Sequence, residues 1–342
     1  MQENVNITRN SMSSLVDAFF SLLAKKTLQE NTQQAAKKLA IPKTEGICTV
    51  GMGGSSIAGQ IAIALLNDSS SIPLTFVRDY QLPAFIDDRW TVIAVSYSGT
   101  TEETLSAYND ADSRGCELFC VTTGGELGAL CSSDRTHVLP KGIQPRAALP
   151  MILAAVLPLM QCLLGNRPTD FERLSEKLTD RQKELKGSMK EPQEIATHIH
   201  QRIPAFIGWR HLAPVAYRAK TQINENAKST AYSLELPEAN HNEIEASAAY
   251  ANQSIAPILL RSAYEDEQTR RRFEATSKIL EQESVEVESI QFSGESKLEE
   301  VLYAIQYLDA VSVRLADIRG VNPMDVPQIS LLKAILAGNS EL

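Results

Sequence analysis

Ser96, Ser98, Thr100 and Thr101 crowd around Gly99 in the run Val95-Ser96-Tyr97-Ser98-Gly99-Thr100-Thr101-Glu102-Glu103. The hydroxyls are hydrogen-bond donors, and Thr100 and Glu103 have capping-box spacing, which predicts that a helix begins here. The first turn of a helix has unpaired N–H groups and the positive end of the backbone dipole, so the cluster is suited to hold a phosphate. The same residues would also serve as plain caps at a strand–turn–helix corner. A second turn, Gly51-Met52-Gly53-Gly54-Ser55-Ser56, has the same small-residue character. It is not a dinucleotide fingerprint: Ser56 stands where the third glycine belongs, and no acidic strand end comes about 20 residues on. The turn is not continued by Gly-Lys-Ser or Gly-Lys-Thr either, which excludes a P-loop.

Four further residues have chemistry to offer. Arg146 lies in the Pro-bracketed stretch Gln144-Pro145-Arg146-Ala147-Ala148-Leu149-Pro150; a planar guanidinium there is either a surface charge or a fixed partner for an oxyanion. Glu225 falls on a helix spanning 214–228, off the apolar stripe of Ala216, Ala219, Ile223 and Ala227 and on the face of Arg218, Thr221 and Gln222. It is a solvated residue or, if that face lines a cleft, a carboxylate base. His241 sits in the polar loop Glu238-Ala239-Asn240-His241-Asn242-Glu243-Ile244-Glu245. Asn242 and Glu245 have N-cap spacing, so the imidazole should precede a helix and be able to exchange protons near neutrality. Lys333 is on the last helix, after Pro323 and Pro327. His241 has no second His or Cys at ligand spacing, so no metal is expected, and with neither a dinucleotide fingerprint nor a P-loop no cofactor is expected.

Strands alternating with helices must position these groups. Short apolar runs at 46–50, 74–77, 91–95, 117–122 and 136–139 read as strands, and so do 203–208, 255–260 and 285–292. Between them the patterns at 57–66, 214–228, 265–284 and 298–318 are helical. This alternation predicts an α/β fold with parallel sheets covered on both faces, and ligands at the carboxyl edges of the strands. The expected organisation is a helical arm over 1–45, one α/β domain over 46–165, a solvated helical connector over 166–195 and a second α/β domain over 196–342. Lys plus Arg number 33 against 42 Asp plus Glu, a formal charge of −9. That argues against nucleic acid or an anionic membrane as partner. The run 151–164 is short, contains Pro158, and reads as a buried helix rather than a span. Five cysteines without a C-x-x-C pair fit a reducing compartment, and the first residues lack the pattern of a signal peptide. A cytoplasmic protein is expected.

The segment Ser96 to Thr104 resembles the phosphosugar-binding signature of sugar isomerase (SIS) domains, and Gly51 to Ser55 its companion loop. With Pro145 to Pro150, Ile223 to Lys228, Glu238 to Glu245 and Arg319 to Lys333, the chain resembles the bifunctional phosphoglucose/phosphomannose isomerases over nearly its whole length. The resemblance implies two SIS-type domains, each a doubly wound parallel sheet, and hexose 6-phosphates as substrates. It assigns the phosphate to Gly54, Ser55, Ser96, Ser98 and Thr101. Glu225 would be the base, Arg146 the enediolate stabiliser, and His241 with Lys333 the ring-opening pair. It also implies a homodimer in which His241 reaches the neighbouring subunit's site. Met324-Asp325-Val326 stands in the vicinity of the family's pocket threonine, without one in that triplet, so the resemblance implies glucose 6-phosphate as substrate more directly than mannose 6-phosphate. The alternatives are a non-catalytic sugar-phosphate sensor and another SIS isomerase or deaminase. A sensor acting on DNA would call for a basic helix-turn-helix, which the N-terminal arm does not resemble.

Overall fold

The computed structural model of the chain describes residues 11–24, 30–39, 44–185 and 189–338. Two compact units divide it, one from Ser14 to Lys186 and the other from Gly187 onward. The chain begins with α1 (Met12–Asp17), α2 (Phe19–Leu23) and α3 (Glu30–Leu39). It then alternates through β1 (Gly46–Val50), α4 (Gly53–Leu66), β2 (Leu74–Val77), β3 (Trp90–Ser96), α5 (Glu102–Ser113), β4 (Glu117–Thr122), α6 (Gly125–Leu130) and β5 (Thr136–Val138). A 3-10 turn at Pro145–Ala148 leads into α7 (Leu149–Leu163), and α8 (Phe171–Leu185) comes next. All strand pairs are parallel, in the order β2-β1-β3-β4-β5. Every residue of β1 and β3 is buried, which is why their sequences run apolar without alternating. One face of the sheet packs Cys48, Val92 and Ala94 against Ala107 and Ala111 of α5. Pro145–Leu163 is, among the described helices, the stretch long and apolar enough to cross a membrane; 89% of it is buried inside the protein, as befits a core helix.

The second unit runs α9 (Pro192–Ile199), β6 (Ile203–Trp209), α10 (Ala213–Ala227), β7 (Tyr232–Leu236), α11 (Ser247–Asn252), β8 (Ile255–Ser262), α12 (Glu267–Gln282), β9 (Glu288–Phe292), α13 (Lys297–Arg319) and α14 (Pro327–Leu336). Its parallel sheet has the order β7-β6-β8-β9. Both units thus place their second strand outside the first and their third on its other side. The order reverses between first and third strands, and there the loops at the carboxyl edge diverge to leave a ligand crevice.

Several sequence expectations change. α4 starts at Gly53 rather than at 57, because glycines and serines of low helix propensity hide its first turn; Ser55 and Ser56 N–H close onto the Met52 carbonyl. Thr101, not Thr100, is the N-cap of α5, and its hydroxyl makes no capping bond. β7 was not anticipated: it is an edge strand with only Leu236 buried, so its apolar signal is weak. The polar stretch expected to be a solvated connector includes α8, which buries Phe171, Ser175 and Leu178 at helical spacing and bonds Ser175 Oγ to the Phe20 carbonyl. Three such positions suffice to dock a helix whose other faces are charged.

Candidate active site

The first unit brings the two small-residue turns together at the crevice between β1 and β3, paired in parallel register from Gly46↔Trp90 to Val50↔Ala94. Ser96 is 1% exposed and spends its hydroxyl within the loop: it accepts from Gly99 N–H at 3.1 Å and shares a 3.0 Å bond with Thr101 Oγ1. Ser98 Oγ faces solvent and accepts from Thr100 N–H and Thr100 Oγ1 at 3.3 and 3.1 Å. Thr101 is diverted from capping by its bond to Ser96, which explains the missing cap. Gly99 has φ +73°, and a Cβ there would collide with the Gly124 carbonyl. Its own carbonyl accepts from Leu127 N–H at 2.9 Å, so α6 braces the turn from behind. Only glycine combines that backbone angle with so close an approach.

The other lip is the start of α4, whose N-cap Met52 offers no side-chain cap to the first N–H groups, at Gly53 and Gly54, with Ser55 next in the turn. The backbone of Arg146 lies directly against Gly54, 3.4 Å from where a Cβ would stand. Arg146 belongs to the 3-10 turn before α7 and is 5% exposed, not the surface loop cation its sequence allowed. Gly54, Ser55, Ser96, Ser98, Thr101 and Arg146 are therefore gathered at one sheet edge. The Lys141 ammonium sits 3.5 Å from the Cβ position of Gly124, behind the same turn. Glu102 and Glu103 in the first turn of α5 make the outer rim acidic; the Tyr80 hydroxyl is held above its ordinary pKa, first by the charge of Glu102.

The equivalent edge of the second sheet is built differently. Ser262 ends β8 as Ser96 ends β3, but its hydroxyl donates to Glu300 at 2.6 Å. The other Glu300 oxygen accepts from Ala263 N–H at 2.8 Å, and His211 Nε2 lies 2.6 Å from the carboxylate. Glu300 and His211 are 0% and 1% exposed. An internal carboxylate thus takes the hydroxyl, backbone N–H and imidazole that an anionic ligand would need there.

The remaining candidates belong to the second unit. Glu225 lies in the last turn of α10 and is half-buried. Of the two readings the sequence left open for its helix face, the solvated one does not hold: Arg218 and Gln222 are 2% and 1% exposed, and Arg218 Nη2 and Nε reach Asp309 of α13 at 2.6 and 3.0 Å. Asn226 Nδ2 reaches Ser312 of the same helix at 2.9 Å. These bonds fix the rotation of α10 and with it the direction of Glu225. Beyond α10 the backbone turns left-handed at Lys228 (φ 52°, ψ 42°), a conformation costing an L-residue roughly 1–2 kcal/mol. The Lys228 ammonium donates to the carbonyls of Glu225 at 2.8 Å, Asn226 at 3.3 Å and Asn322 at 2.7 Å. Arg319 Nε takes the Ala227 carbonyl at 2.9 Å. His241 is exposed and closes a 3-10 turn, Glu238–His241. Asn242 does act as a cap, accepting from Glu243 N–H at 2.6 Å, but the element it opens is a second 3-10 turn rather than an α-helix. Lys333 is exposed on α14. Among the described residues no group of three or more His, Cys, Asp or Glu is arranged to hold a metal ion.

Comparison with known proteins adds to this geometry. Residues 188–336 match the bacterial phospho-glucose isomerase C-terminal SIS domain. A bifunctional phosphoglucose/phosphomannose isomerase of Aquifex aeolicus is 37% identical over 293 residues, 84% of this chain and 89% of the relative. One from Thermoplasma volcanium is 33% identical over 304 residues, 88% of this chain and 94% of the relative. The crystal structure of a hypothetical protein from Thermus thermophilus superposes with a TM-score of 0.71 at 18% identity, covering 96% of this chain and 94% of that one. That last likeness concerns the fold alone.

Proposed function

The chain belongs to the bifunctional phosphoglucose/phosphomannose isomerase family, and from that premise we propose that it interconverts glucose 6-phosphate, and mannose 6-phosphate, with fructose 6-phosphate. The observation carrying the reading is the contrast between two sheet edges of one plan. The first presents hydroxyls, a helix N-terminus and a buried arginine; the second is satisfied internally by Glu300. The phosphate binds at the first edge, on Ser55, Ser98, Thr101 and the N–H groups at Gly54, with Ser96 shaping the loop from within. His241 and Lys333 open the ring, one taking the hydroxyl proton at C1 and the other delivering a proton to the ring oxygen. Glu225 then removes the proton from C2 of the aldose and returns it to C1, through a cis-enediol whose developing oxyanion Arg146 stabilises. Binding energy from the remote phosphate is available to orient C1 and C2 for the proton transfer.

A coupled assay following fructose 6-phosphate formed from each aldose phosphate tests the reading. If sugar phosphate raises the melting temperature while neither aldose turns over, the non-catalytic sensor is correct instead. Ser98→Ala should raise KM about tenfold and leave kcat nearly unchanged, as loss of one hydrogen bond to a charged group in both ground and transition state requires. Steady-state kinetics check this, and an equal fall in kcat would move Ser98 into the chemical step.

The assembly we propose is a homodimer in which His241 is offered to the neighbouring subunit's site. Its support is α14, which buries none of its residues and exposes Leu332, Ile335 and Leu336 at 54%, 55% and 71%; apolar groups so concentrated mark a surface covered by another protein. Leu332→Asp should shift sedimentation from dimer to monomer, and an unchanged mass would remove α14 from the interface. A cytoplasmic setting fits the five cysteines, all free and buried.

A further inference from the structure

Lys228 combines two features that call for a joint explanation. It holds a left-handed backbone conformation that glycine would adopt freely, at the position where helices commonly end in glycine. Its ammonium has three N–H donors and three carbonyl acceptors, those of Glu225, Asn226 and Asn322. Two acceptors are on the last turn of α10; the third is on the turn after α13 that leads, four residues later, into the cap of α14. Capping alone does not require this residue. Arg319 already covers Ala227, and a glycine at 228 would close the helix without strain. What glycine cannot do is tie the Glu225 carbonyl to the Asn322 carbonyl.

We propose that Lys228 is a positioning residue that fastens the backbone of Glu225 to the turn preceding the Lys333 helix, so that the base and the ring-opening lysine keep a fixed relation. The inference rests on the reading of Glu225 as the base. The clamp acts on backbone carbonyls and not on the Glu225 carboxylate or the Lys333 ammonium. Asn322 is itself folded back, its Oδ1 accepting from Met324 N–H at 3.0 Å, so the anchored turn is compact.

The test is Lys228→Gly, which relieves the backbone and removes the ammonium together with its aliphatic stem. It should melt at or above the wild-type temperature while kcat falls about 10- to 100-fold, the scale on which a misplacement of about 1 Å acts. KM for the aldose phosphate should stay within about twofold, because the phosphate loops are untouched. Lys228→Arg, which retains cationic donors, should recover part of kcat, and Lys228→Asn, tolerant of the same backbone angle, should behave like the glycine variant. A lower melting temperature with wild-type kcat per folded molecule would overturn the proposal in favour of a purely structural cap. Proton exchange at C2 in Glu225→Gln separates the two levels. If that variant keeps full exchange, the base assignment fails and this inference with it. If exchange is lost there but Lys228→Gly turns over normally, only the inference fails.

Discussion

Glu225→Gln is expected to lower kcat by about 10³- to 10⁴-fold, the upper range for loss of a general base, equivalent to roughly 4–5.5 kcal/mol of barrier. The amide is nearly isosteric and keeps the half-buried position at the end of α10, so folding and sugar-phosphate binding should persist. The sharper readout is exchange of the C2 proton with solvent deuterium, followed by NMR. Exchange requires only that a base remove the proton and release it, and it is independent of ring opening when an open-chain substrate is supplied. Arg146 and the phosphate loops are intact in this variant, so residual binding should match wild type. Full exchange in Glu225→Gln would remove Glu225 from the mechanism.

Asp309→Ala should be the most damaging single change to stability, by about 3–5 kcal/mol, because it strips the carboxylate from a buried guanidinium. Arg218 and Asp309 are 2% and 3% exposed and meet through paired bonds of 2.6 and 3.0 Å. Domains of this size are stable by only about 5–15 kcal/mol, so the loss should be visible as a large drop in the urea midpoint of the second unit. The double variant Arg218→Met with Asp309→Leu should recover much of it, since apolar residues of similar volume replace a buried pair at little net cost. If the single change is nearly silent, the pair is not desolvated as described. By contrast Arg314 and Asp317, 3.5 Å apart and each about half exposed, form a pair whose removal should hardly register. The coupling to function is direct: the Arg218–Asp309 bonds set the rotation of α10, so a variant that still folds should also show a reduced kcat.

The hydrophobic pattern determined the α/β class and most of the strand–helix alternation, and small-residue content marked the two turns at 51–56 and 96–101, because each is a local consequence of residue order. Buried strands of a parallel sheet must be apolar throughout, as β1 and β3 are, and the small hydroxyl residues that come after them are confined to the strand ends. Arg146, Glu225, His241 and Lys333 were different. Each is an ordinary residue in its own window, and it was their joint resemblance to one family that singled them out. Local reading failed where a competing partner was distant in sequence. Thr101 caps nothing through its side chain, because Ser96 takes its hydroxyl. Arg218 lies on what looked like a solvated face, because Asp309 waits 91 residues later.

Tertiary structure decided how two similar sheet edges differ in the groups that meet their serine. Ser96 and Ser262 both end the third strand of a parallel sheet, and no property of either residue distinguishes them. The difference is Glu300, delivered by α13 to the Ser262 hydroxyl and the Ala263 N–H, whereas at the first edge the Ser96 hydroxyl meets Thr101 Oγ1 and the Gly99 N–H of its own loop. Sequence order fixes which groups exist along each strand and turn. Folding decides which charge is brought to them, because electrostatic and hydrogen-bond energies depend on distances of a few ångströms that separation along the chain does not encode.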